Sequence, residues 1–78
     1  MNVGELYALF DRERAVFAKA DPVAANVRLI LHRRHYISRP VKRDIAWYDP
    51  ADHTINLLER ALSFAPQTLQ GLLRHEFG

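Results

Sequence analysis

A chain of 78 residues, 49% hydrophobic, with a net charge of +2 and no cysteine, holds one small domain spanning 1–78 and buries only about 60% of the surface its unfolded form would expose. The missing thiols exclude a disulfide framework, a thiolate metal site and a cysteine nucleophile, and they suit a reducing compartment, so a cytoplasmic location is expected. No apolar run reaches the ~20 residues that span a bilayer, so no membrane partner is expected; the first residues lack the basic flank and apolar block of a signal peptide, and the apolar content argues against disorder.

Asn2-Val3-Gly4-Glu5 has the form of a capping box, and Val3, Leu6, Tyr7, Phe10 and Phe17 recur at helical spacing. These features predict a helix from residue 3 to about 20 whose aromatic stripe packs in the core. Its middle turn, Asp11-Arg12-Glu13-Arg14, is expected to face mostly water. Asp21-Pro22 ends it, because the residue before proline is driven out of the helical region.

Val27 to His32 is a short β-branched and Leu-rich run that reads as a strand, with an ambiguous continuation through Tyr36 and Ile37. Arg43 to Tyr48 alternates more cleanly, with Ile45 and Trp47 on one face and Asp44, Ala46 and Tyr48 on the other. Asp49-Pro50-Ala51-Asp52 is a turn, opened by Asp and preset in φ by Pro. His53 to Leu57 returns as a partner strand, Ile55 and Leu57 toward one side and Thr54 and Asn56 toward the other, as in a half-buried antiparallel hairpin. Leu58 to Phe64 reads as a short helix or a structured loop. Pro66 then suits a first helical position, and Gln67 to Phe77 runs without a breaker apart from Gly71, which predicts a helix of about three turns. The expected fold class is α+β, with the N-terminal and C-terminal helices packed on one face of a three-stranded, mainly antiparallel sheet.

The last helix carries the chemistry. At ~100° per residue, Leu69, Leu72, Leu73 and Phe77 form one apolar arc, with Gln67, Gln70 and Arg74 opposite. Glu76 projects into the middle of that arc and His75 lies at its border. Gly71, one turn earlier, leaves space beside the imidazole because helical side chains lean toward the N-terminus. A carboxylate aimed at a core is costly unless it is paired or hydrogen-bonded. Glu76 therefore asks either for a chemical role or for a frayed last turn that exposes it to water.

Leu72-Leu73-Arg74-His75-Glu76-Phe77-Gly78 resembles the first half of the His-Glu-x-x-His motif of zincin-type metallopeptidases, in the variant His-Glu-Phe-Gly-His. The resemblance covers Trp47 to Leu57 and Thr68 to Gly78. It implies a strand of Thr-Ile-x-Leu character forming the substrate-lining edge of a small sheet, followed by the helix that bears the motif. It further implies Zn²⁺ as cofactor, ligation by His75, general-base work by Glu76, and a peptide or protein as substrate. The second helical His would fall at position 79, and no third ligand follows. The chain is thus expected to be the N-terminal portion of such a domain, holding zinc weakly or not at all by itself.

Charge is unevenly spread. Pro22 to Arg43 contains six basic residues, Arg28, Arg33, Arg34, Arg39, Lys42 and Arg43, and no acid, against five basic and nine acidic residues elsewhere. With Tyr36 and Trp47 nearby, this stretch suits a nucleic-acid backbone and equally a solvated face. His32 and His35 would fall on opposite faces of a strand, so joint metal ligation would need a turn. His53, at a turn-to-strand boundary, is first a polar cap and more distantly a substrate contact. The alternative to a peptidase fragment is a non-catalytic interaction module, either a degenerate peptidase fold or a basic domain that binds nucleic acid or protein.

Overall fold

The structure, a computed structural model, describes residues 1–33 and 45–78. Helix α1 spans Val3–Ala20 and begins as its sequence dictates: the Asn2 side chain accepts from the Glu5 amide at 2.8 Å, and the Glu5 carboxylate accepts from the Asn2 amide at 3.0 Å. Two otherwise orphaned donors are satisfied reciprocally. Asp21 leaves the helical region with φ −139° and itself caps a 3₁₀ turn, Pro22–Asn26, by accepting from the Val23 amide. Strands β1 (Arg28–His32), β2 (Ala46–Asp49) and β3 (Thr54–Leu58) follow, then a 3₁₀ turn at Glu59–Ser63 and helix α2, Pro66–Phe77.

The fold is α+β, and the sheet is mixed. Its order is β1-β3-β2, with β2 antiparallel and β1 parallel to β3. The strand from the Asp49 turn, Thr54-Ile55-Asn56-Leu57, is therefore the middle of the sheet and not its edge. All five residues of β3 are buried, where a half-buried hairpin strand was expected. A central strand has neighbours on both sides, so side chains on its second face are covered by those of the flanking strands. Asn56 is accordingly satisfied by His32 Nε2 at 2.8 Å, and the His32 ring stacks on Trp47.

One face of the sheet makes the core. Leu29, Ile55 and Leu57 pack against Leu6, Leu9 and Phe10 of α1 and Leu69 and Leu73 of α2. The stripe expected on α1 divides: Leu6 and Phe10 are buried, Phe17 is half-buried, and Val3 and Tyr7 are largely exposed. In the middle turn Asp11 and Arg12 face water, but Glu13 is only 3% exposed.

The two sheet edges differ. The Arg28 amide donates to His53 O, so the alternate residues Val27 and Leu29 turn their carbonyls outward. Side chains two turns apart on α1 reach both: Arg14 Nη1 donates to Val27 O at 3.1 Å, and the Tyr7 hydroxyl to Leu29 O at a long 3.4 Å. Two acceptors of that edge are thus occupied by α1 side chains. At β2 the Leu58 amide donates to Ile45 O at 2.8 Å. Alternation then pairs Trp47 and Asp49 with β3 and turns the peptide groups of Ala46 and Tyr48 outward.

Candidate functional site

Three contacts hold the last turn of α2 against α1. The Phe77 ring stacks on Phe10 at 5.5 Å and on Phe17 at 5.1 Å, the interplanar angles being 24° and 11°. One turn earlier, Arg74 Nε donates to Glu13 Oε1 at 2.8 Å, which accounts for the buried carboxylate of α1. The Gly78 amide donates to Arg74 O at 3.0 Å, continuing the helical ladder to the end of the chain. The turn bearing His75 and Glu76 is formed.

His75 and Glu76 look in different directions, as consecutive helical residues must. His75 is exposed, and beside its face a Cβ added at Gly71 would meet nothing within 4 Å. Glu76 is half-buried and lines a surface cleft of about 270 Å³ with Asp21, Val23, Val27, Tyr48 and Phe77. This cleft gathers the C-terminal end of α2, the 3₁₀ turn after α1, and the edge strand β2.

Tyr48 enters the site through the fold. Tyr48 stands opposite Ile55 and Ala46 opposite Leu57, so both share the core face and Tyr48 points toward α2. Its hydroxyl lies 2.9 Å from His53 Nδ1. His53 precedes β3 with φ 53°, the one non-glycine residue at positive φ among the described residues. The turn before it is built as expected, Asp49 Oδ1 accepting from the Ala51 amide at 3.0 Å. Alternation alone put Tyr48 with Ala46; that this face is the inner one follows only from the register against Ile55 and Leu57.

The remaining predicted groups do not converge. His32 is engaged by Asn56 and Trp47; His35 lies outside the described residues. Of the basic stretch, Arg28 is exposed on the sheet face away from the helices, and Arg33 lies 3.9 Å from Glu59. Arg34, Arg39, Lys42 and Arg43 fall outside the described residues. Among the described residues no three His, Asp or Glu side chains are grouped to hold a metal, and no helix is long and apolar enough to cross a membrane. No protein-family model, curated protein or solved structure matches the chain.

Proposed function

We propose that residues 1–78 are the N-terminal portion of a zinc-dependent metallopeptidase domain, with His75 a zinc ligand and Glu76 the general base for peptide-bond hydrolysis. The observation that supports this most is the position of Glu76: it lines a cleft bordered by Tyr48 of β2, a strand whose Ala46 and Tyr48 peptide groups point away from β3. An extended peptide laid along β2 could pair with Ala46 and Tyr48 and bring its backbone past the end of α2.

The donor chemistry fits in part. Catalytic zinc sites take three protein ligands; the described residues offer one helical imidazole, and a second on the same face would fall at position 79. Zn²⁺, when bound, supplies Lewis-acid polarisation of a carbonyl and a more acidic water. Glu76 would hold at its carboxylate the proton given up by the attacking water and pass it to the departing nitrogen. The apolar lining from Val23, Val27 and Phe77 lowers the local dielectric, which strengthens such polar contacts.

The test is to read the parent gene past codon 78, express the longer protein and compare it with its Glu76→Gln variant. Gln keeps the size of the side chain but accepts no proton, so hydrolysis should vanish while zinc binding survives. Intact zinc binding with undiminished hydrolysis in the variant would refute the assignment. A natural stop after Gly78 would leave a non-catalytic module.

A further inference from the structure

We infer that Glu13 and Arg74 are positioning residues: their ion pair fixes the rotation and axial register of α2 on α1, and with them the direction in which Glu76 points. The consequence for hydrolysis rests on the peptidase reading of Glu76; the register itself does not.

Two features carry the inference. The first is where the carboxylate lies. Phe10, Glu13 and Phe17 fall on one strip of α1 by their spacing, and Glu13, at 3% exposed, holds a place on that strip which an apolar side chain would fill at no electrostatic cost. Exchanging a buried ion pair for apolar side chains of similar volume is often neutral or stabilising, so stability does not account for a carboxylate there. Selection of one packing over its neighbours does.

The second is how the strip is met. Arg74 and Phe77, three residues apart on α2, reach it together: Phe77 stacks on Phe10 and Phe17, and Arg74 Nε donates to Glu13 Oε1 at 2.8 Å. Apolar contacts such as those of Leu69 and Leu73 are non-directional and tolerate a small roll of the helix, whereas a charge-assisted hydrogen bond weakens steeply with distance and angle. The donor is Nε and not a guanidinium tip, which leaves less side-chain slack to follow a moving helix. A roll of ~20° sweeps the helix surface, ~5 Å from the axis, by ~2 Å, enough to break the bond. The same roll matters at Glu76, which stands two turns beyond the fully buried Leu69 and only ~20° round the helix from it. Whether its carboxylate meets the cleft or the core is thus decided by a motion that the ion pair resists.

The experiment compares wild-type residues 1–78 with the double variant Glu13→Leu/Arg74→Leu and with Glu13→Gln and Arg74→Lys. Urea denaturation reads stability; NMR cross-peaks of the Phe77 ring to Phe10 and Phe17, with residual dipolar couplings of the α2 amides, read the placement of α2 on α1. The double variant should unfold at a urea concentration near that of wild type, yet lose those cross-peaks and depart from the wild-type couplings. Glu13→Gln should depart less, and Arg74→Lys, which keeps the charge, should stay nearest to wild type. In the longer protein the double variant should lower kcat/KM for a mixed-sequence peptide library about 10- to 100-fold at unchanged zinc content, the loss expected from a misplacement of ~1 Å. A stable double variant with wild-type cross-peaks and couplings would overturn the inference. So would a double variant less stable than Glu13→Gln, which would make the contact a stabilising one only. Displaced couplings with wild-type kcat/KM would overturn the catalytic consequence and leave Glu76 as base intact. A longer wild-type protein without hydrolysis would overturn the peptidase reading, while the couplings in residues 1–78 would still decide the register.

Discussion

Replacing Arg74 by Ala removes the partner of a carboxylate that is almost wholly buried. Glu13 is 3% exposed and accepts from Arg74 Nε at 2.8 Å. Breaking a fully buried pair by removing one partner costs about 3–5 kcal/mol, because the remaining charge is stranded. Here the Arg74 side chain is 58% exposed, so water reaches the pair and screens it; the cost should fall to about 1–3 kcal/mol. In a domain of this size that is a loss of roughly 5–20 °C in melting temperature. Urea denaturation of Arg74→Ala, Glu13→Gln and the double variant Glu13→Leu with Arg74→Leu separates the contributions. Glu13→Gln keeps an acceptor for Arg74 and should cost less than Arg74→Ala. The double variant should lie closest to wild type, since it removes the charge and its partner together. A change within about 0.5 kcal/mol for Arg74→Ala, the range of an ordinary surface substitution, would refute the reasoning, as would a double variant worse than either single one.

Two further outcomes are expected. Gly71→Ala should stabilise the protein by about 0.5–1 kcal/mol, since a Cβ there meets nothing within 4 Å and glycine in a helix interior carries a backbone-entropy cost; thermal melts that show a loss would contradict the open space beside His75. Calorimetric titration of residues 1–78 with Zn²⁺ should find weak binding that His75→Ala abolishes, because one helical imidazole falls short of three ligands; a tight stoichiometric site would require ligands other than the one proposed.

Local signals in the chain determined both helices and, approximately, their ends. The Asn2/Glu5 box and Asp21-Pro22 set the ends of α1, and Pro66 set the start of α2, because capping and proline act through neighbours a few residues away. The same locality made the Asp49 turn and the inward lean of Glu76 legible from spacing. Strand order was not legible: alternation specifies which residues share a face, but pairing is decided between distant segments. Only tertiary structure put Thr54–Leu58 at the centre, made β1 parallel to it and turned Tyr48 inward. The burial of Glu13 was hidden for the same reason, since a charged residue in a polar turn reads as solvated until a helix 61 positions away supplies its guanidinium. The candidate site therefore has two origins: His75 and Glu76 follow from one helix and its sequence, whereas the cleft and the Tyr48–His53 pair exist only because packing brings separate segments to the same place.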